Sequence, residues 1–219
     1  MQISLEPSAR KDHYDIYVEG ELFVRAPGAL VSLFSIREGF DFDMSDLSCF
    51  AVAVNLYLCK TEAYRTLARR QYSSMELTRK LLDKGFVRET VHTVVAILEL
   101  SGQLDDCVLA REYAEARARG SLSGPRRIRQ ELKARALPDE CISRAMTACF
   151  SEETEQELAH TAVQRKFLRS NNDRRRDKIY VFLLRRGFSP PVAAAAARRF
   201  AGGKEDTDED ERGDPEGVS

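Results

Sequence analysis

M-E-L-T-R-K-L-L-D-K-G-F (Met75–Phe86), R-R-I-R-Q-E-L-K-A-R-A-L (Arg126–Leu137) and D-K-I-Y-V-F-L-L-R-R-G-F (Asp177–Phe188) are three versions of one segment. Leu77, Ile128 and Ile179 stand 51 residues apart, and Leu81, Leu132 and Leu183 keep the same interval. So do Gly85, Ala136 and Gly187, then Phe86, Leu137 and Phe188. The register continues through Val91, Ile142 and Ala193 and through Leu98, Cys149 and Phe200. A fixed period of this size predicts tandem copies of one supersecondary unit, stacked into an elongated, curved, mostly α-helical array. Function is then sought on the outer surface of the array rather than in a catalytic pocket.

Each unit reads as three helices. In the first, Ser73-x-x-Glu76 has the form of a capping box and Gly85 that of a C-terminal glycine cap. A second helix is predicted from about Glu89 to Glu99 and a third from Leu104-Asp105-Asp106 to Gly120. The paired aspartates suit the positive end of a helix dipole. Gly124-Pro125 opens the second unit, with the proline where a first turn tolerates it. Its helices run to about Arg135, from Pro138 to Phe150 and from Ser151 to Arg169, and the third unit starts at Asn172-Asp173 and lacks its last helix. The expected organisation is a β-module over 1–45, a connecting helix over 46–72, repeats over 73–119 and 120–170, a partial repeat over 171–203, and an acidic tail over 204–219. With Glu205, Asp206, Asp208, Glu209, Asp210 and Glu211 and no apolar residue among them, the tail is expected to be disordered.

Ahead of the repeats, residues 1–44 show no helical period. Met1–Leu5, Tyr14–Val18 and Leu22–Val24 read as short strands, with Glu19-Gly20-Glu21 as a tight turn, so a small β-meander is expected there.

The net charge of −1 conceals segregation. Residues 1–60 carry 5 Lys/Arg against 9 Asp/Glu, 61–200 carry 27 against 18, and 201–219 carry 2 against 8. A basic middle between acidic ends suits a polyanion or an acidic protein surface. On the helix opening the second unit, Arg126, Arg129 and Lys133 fall within about 60° of one another, opposite Ile128 and Leu132, with Arg127 beside them. Arg174, Lys178 and Arg185 form a similar stripe in the third unit, widened by Arg175, Arg176 and Arg186, and Arg165, Lys166 and Arg169 lie just upstream. These thirteen residues are the candidate binding surface.

Catalytic chemistry finds no pattern. His13, His92 and His160 lie in different segments, and no phosphate loop, nucleophile triad or metal-ligand spacing is present. Asp105 and Asp106 read as cappers. The five cysteines, Cys49, Cys59, Cys107, Cys141 and Cys149, make no C-x-x-C pair and are expected as reduced, mostly buried thiols in a cytoplasmic protein. No apolar run reaches the roughly 20 residues that cross a bilayer, and no signal-peptide layout opens the chain.

Four segments in order carry a family resemblance. They are A-R-R-x-x-S-x-x-E-L-x-x-K-L-x-x-K-G-F (Ala68–Phe86), G-x-L-D-D (Gly102–Asp106), G-P-R-R-I-x-x-E-L (Gly124–Leu132) and R-x-x-K-x-x-x-F-L-x-R-R-G-F (Arg175–Phe188). Together they resemble the RecX family, small regulators of the RecA recombinase. The N-terminal strands around Asp15–Gly20 are similar to the β-extension of longer members. Where many relatives place a basic residue and an aromatic after the second motif, this chain has Cys107-Val108-Leu109, and the acidic tail is not a family hallmark. The resemblance implies a non-catalytic monomer, without cofactor or metal, that lodges along the groove of the RecA–DNA filament. There it would limit ATP hydrolysis, strand exchange and coprotease action. The other class left open is a helical protein that binds single- or double-stranded DNA directly, independent of RecA.

Overall fold

The computed structural model describes residues 3–38, 43–168 and 176–201. By contacts the chain divides into two compact units, Met1–Leu104 and Asp105–Ser219.

The first unit opens with an antiparallel sheet in the order β1-β2-β3, where β1 is Ile3–Pro7, β2 is His13–Val18 and β3 is Glu21–Pro27. Glu19 and Gly20 turn the β2–β3 hairpin with φ of 52° and 82°, the left-handed pair that matches strand twist. Ile3, Ile16 and Ala26 bury one face of the sheet against Val31, Ile36, Leu47, Phe50 and Val54. One expectation fails here: a short helix, α1 (Gly28–Leu33), occupies a stretch read as non-helical. It has only six residues, too few to show a helical period, and it forms because Val31 packs into this core.

α2 (Met44–Leu67) starts on Asp43, whose carboxylate accepts from the Asp46 amide at 2.8 Å. Its first half serves the β-module core. Its second half contributes Cys59 and Ala63 to another, shared with α3 (Ser74–Asp83) and α4 (Arg88–Leu100). The Ser73 capping box is present in both directions: the Glu76 amide donates to Ser73 Oγ at 3.1 Å and the Ser73 amide donates to Glu76 Oε2 at 3.0 Å.

The second unit holds two further cores. α5 (Asp106–Ser121), α6 (Pro125–Ala134) and α7 (Asp139–Cys149) surround Ala110, Ala114, Ile128, Leu132 and Ile142. α8 (Glu152–Val163) runs into a π-helical turn, Gln164–Leu168, and packs with α9 (Arg176–Arg185) and α10 (Pro190–Ala201) around Val163, Ile179, Leu183, Phe188 and Ala193.

The packed trios are therefore α2–α4, α5–α7 and α8–α10. The sequence register opened its units at α3, α6 and α9, so period and helix number agree while the phase differs by one helix. The reason is the motif that dominates the register. In all three copies it is a helix ending in a Schellman turn: Phe86, Leu137 and Phe188 donate to the carbonyls of Leu81, Leu132 and Leu183, and Gly85, Ala136 and Gly187 to those of Leu82, Lys133 and Leu184. That local geometry repeats wherever the trio boundary falls. The left-handed residue has φ of 89° at Gly85, 87° at Gly187 and 54° at Ala136, and only the alanine carries the strain of an L-residue there.

The cysteine expectation is corrected. Cys107 and Cys141 form a disulfide, their Cα atoms 4.5 Å apart, because α5 and α7 bring their first turns together. Cys59 is buried and Cys149 half-buried, but Cys49 is exposed. The acidic tail, Asn172-Asp173 and the segment with Phe40 and Phe42 lie outside the described residues.

Candidate interaction surface

α6 begins on Gly124 with Pro125 in its first turn, and Ile128 and Leu132 are fully buried. Its first amides would lack partners in an isolated helix. Here they meet the carbonyl end of α9: the Gly124 amide donates to the Arg186 carbonyl at 2.8 Å and the Arg126 amide to the Gly187 carbonyl at 3.0 Å. The approach requires two glycines. A Cβ on Gly124 would sit 2.4 Å from the Gly187 carbonyl carbon and the Phe188 amide nitrogen, and one on Gly187 would sit 2.4 Å from the Arg127 backbone nitrogen and Cβ. This junction sets the basic residues of α6 beside those of α9.

Arg126, Arg127 and Arg185 share one depression with Gln130, Leu184 and Phe188. Arg185 also rims a second groove, with Lys166 and Lys178, over an apolar floor of Phe167, Val181 and Phe182. The Lys166 ammonium stands 4.3 Å from the centre of the Phe182 ring, so part of the floor is already covered by a cation. The π-helical turn carries Arg165 and Lys166, both exposed, of which Lys166 stands at this edge, and Arg176 is exposed at the start of α9.

Other predicted residues are placed differently. Arg129 faces a separate depression, between α6, α7, α8 and α10, that also holds Glu152 and Glu155 of α8. Lys133 pairs with Asp139 at 3.3 Å, both side chains well exposed, an arrangement that contributes little. Arg186 is half-buried: it donates to the backbone carbonyls of Ser121 and Leu122 and lies 5.0 Å from the Phe182 ring. Burial pushes its guanidinium pKa down, and repulsion from Arg127, Arg165 and Arg117 adds to the effect. It ties the end of α5 to the end of α9. Arg169, Arg174 and Arg175 lie outside the described residues.

One cluster escaped the sequence reading. Glu131 accepts from Arg117 Nε at 2.7 Å, Arg127 Nε at 3.0 Å and the Tyr113 hydroxyl at 3.2 Å. The Arg117 guanidinium is the main reason that the Glu131 carboxyl is held down at about 2, with Arg127 and Tyr113 assisting against the effect of burial. The Arg127–Glu131 contact is legible as a four-residue helical spacing. Nothing in the sequence points to Arg117 and Tyr113, which reach Glu131 from another helix.

Among the described residues, catalytic groupings do not emerge. His13 contacts the Lys11 carbonyl, His92 is exposed and His160 lies against the Phe200 ring. Among the described residues no cluster of His, Cys, Asp and Glu could hold a metal, and no helix is long and apolar enough to cross a membrane.

Comparison with known proteins adds the family. Residues 59–98 match the RecX first three-helix domain and residues 105–146 the second, which correspond to the α2–α4 and α5–α7 trios. Regulatory protein RecX of Pelodictyon phaeoclathratiforme is 36% identical over 132 residues, 58% of this chain and 79% of the relative. That of Limosilactobacillus reuteri is 25% identical over 188 residues, 84% of this chain and 71% of the relative. A crystal structure of regulatory protein RecX has the same fold, with a TM-score of 0.64, 24% identity, and coverage of 87% of this chain and 96% of that one. With both helical domains matched and relatives above 30% identity spanned over most of their length, the chain belongs to the RecX family of regulatory proteins.

Proposed function

We propose that this chain regulates RecA by occupancy rather than catalysis. It binds the RecA–DNA filament as a cytoplasmic monomer, lodges along the filament groove and lowers ATP hydrolysis, strand exchange and coprotease activity. The contact surface is the strip formed by Arg126, Arg127, Arg165, Lys166, Lys178 and Arg185. What supports the reading is a pair of depressions that share Arg185, one lined by Arg126 and Arg127 of α6 and the other by Lys166 and Lys178, in a member of a family of regulatory proteins. A row of cations beside exposed apolar groups suits an acidic protein surface with DNA phosphates alongside it.

The test is RecA ATPase on single-stranded DNA. The chain, added below the RecA concentration, is expected to lower the rate, because one bound copy spans or blocks several protomers. An unchanged rate at equimolar chain contradicts the proposal. Direct DNA binding is the second reading, favoured by the guanidinium groups of Arg126 and Arg185 on one depression. Its signature is a steep loss of affinity for bare DNA with salt and no dependence on RecA.

A further inference from the structure

The 51-residue register sets one pair of core positions apart. Cys107, in the first turn of α5, has Leu56 and Leu158 as its counterparts one period before and after. Cys141, in the first turn of α7, has Thr90 and Val192. In the flanking trios, Leu56 and Leu158 pack half-buried against their cores, and Thr90 and Val192 are buried. Packing there takes ordinary side chains, and the middle trio puts two sulfurs in their place. These are joined across α5 and α7, with Cα atoms 4.5 Å apart and a separation of 34 positions in sequence. Other cysteines do not compete. Cys149 follows Cys141 by eight residues along α7, roughly 12 Å of helix rise and beyond the reach of a disulfide. Cys59 is buried in the first unit, where burial pushes its thiol up to about 11.

We propose that Cys107–Cys141 is a site of reversible thiol–disulfide exchange, and that its redox state sets how readily the α5–α7 trio opens. A small dithiol reduces it. One thiolate of the dithiol attacks Cys107 Sγ, the half-buried sulfur, since Cys141 is only 8% exposed. The S–S bond breaks, its electron pair leaves on Cys141 Sγ, which takes up a proton, and a mixed disulfide joins Cys107 to the reagent. The reagent's second thiolate attacks its own sulfur in that bond and releases Cys107, which is protonated in turn. Two electrons have then passed to the pair. Hydrogen peroxide reverses the change. The Cys107 thiolate attacks one oxygen, the O–O bond breaks and hydroxide leaves, giving a sulfenic acid. The Cys141 thiolate displaces a second hydroxide from that sulfur and the S–S bond reforms. The two hydroxides take up the two thiol protons as water.

The consequence is mechanical. A tie across 34 positions removes conformational freedom from the opened chain. Its loss therefore raises the population of the open trio on the order of several hundred-fold. The trio includes α6, which carries Arg126 and Arg127. α5 runs on to Ser121 and Leu122, whose carbonyls accept from Arg186 of α9. Reduction thus loosens the scaffold under the α6–α9 strip and leaves the charges of the strip in place. In a reducing cytoplasm the pair cycles instead of persisting, so an oxidant selects the tightened form. Only this last meaning, and its bearing on RecA, rests on the function proposed above; the exchange chemistry does not.

Native-state hydrogen exchange of the full chain, resolved by peptide, tests this without RecA or DNA. The chain is compared after hydrogen peroxide, after dithiothreitol, and after dithiothreitol is removed and peroxide added again. Alkylation and non-reducing peptide mapping assign the sulfurs, with isotope-labelled and unlabelled chains mixed to separate links within one copy from links between copies. The Cys107–Cys141 link is expected after peroxide and not after dithiothreitol. Amides of α5 and α7 should exchange on the order of several hundred-fold faster in the reduced chain, with α3 and α4 unchanged, and slow again on reoxidation. Cys149→Ser should keep this response and Cys107→Ser abolish it; if Cys107→Ser does not fold, the two redox states of the parent decide. The proposal is overturned if Cys107 and Cys141 stay open to alkylation after peroxide, or if links to Cys149 or between copies predominate. It is equally overturned if α5 and α7 exchange at one rate in both states. Redox-dependent exchange with no effect of either form on RecA ATPase would remove the filament reading and leave the switch; ATPase inhibition by a chain whose exchange ignores redox state would do the opposite.

Discussion

Gly187→Ala and Gly85→Ala change the same register position, and the structure predicts different outcomes. Both glycines are left-handed, with φ of 87° and 89°, so alanine introduces a similar backbone strain at each, about 1 kcal/mol after the entropy it removes from the unfolded chain. At Gly85 a Cβ meets nothing within 4 Å. At Gly187 it meets the Arg127 nitrogen and Cβ at 2.4 Å and its Cα at 2.9 Å, so the start of α6 must retreat. Retreat breaks the Gly124–Arg186 and Arg126–Gly187 hydrogen bonds, each contributing about 0.5–1.5 kcal/mol, and leaves buried groups unsatisfied. Gly187→Ala is therefore expected to destabilise by about 2–4 kcal/mol against about 1 for Gly85→Ala. Because the chain holds two compact units, the readout is native-state hydrogen exchange resolved by peptide rather than one global melt. Amides of α6 and α9 should exchange roughly 30-fold to several hundred-fold faster in Gly187→Ala, with α3 and α4 unchanged. Equal effects of the two substitutions, each confined to its own unit, would refute the junction argument.

Three further outcomes derive from the same geometry. Leu132→Ala removes a fully buried side chain and is expected to cost about 2–5 kcal/mol in denaturant unfolding of the second unit; a loss under about 1 kcal/mol would place Leu132 outside a tight core. Ala136→Gly relieves a φ of 54° and should stabilise that unit by up to about 1 kcal/mol, measured in the same way, whereas destabilisation would mean that the strain is not felt there. Glu131 falls from the ordinary 4.5 to about 2 on folding, so its contribution is full above about pH 4.5 and is lost as pH falls through about 2. Partial exposure limits that contribution to about 1–2 kcal/mol. Glu131→Gln should flatten the stability profile between those values, and an unaltered slope would remove Glu131 as its source.

The repeating helices were legible because their signals are local. Ser73 with Glu76, the apolar spacing of Leu77 and Leu81, and Gly85 are read within a few residues, and each appears in the structure as the cap, core face and turn its chemistry implies. What escaped depends on residues distant in sequence. The trio phase is decided by which helices close a core, and the Cys107–Cys141 pair by the meeting of α5 and α7. The same holds for the candidate surface. Helical spacing grouped Arg126 with Arg129, but the structure turns them to different depressions and sets Arg126 beside Arg185 instead. Arg186 looked like one more exposed cation; the two carbonyls it ties lie more than sixty positions away.

The most direct test of the central claim is co-sedimentation of the full chain with RecA filaments on single-stranded DNA, comparing the parent with Arg126→Glu plus Arg185→Glu. Both side chains are exposed and form no ion pair among the described residues, so helicity should be unchanged. The account predicts that the parent pellets with the filament, that salt weakens this binding, and that the double reversal abolishes most of it. Filament binding by the variant equal to that of the parent would contradict the account and move the contact off the α6–α9 strip.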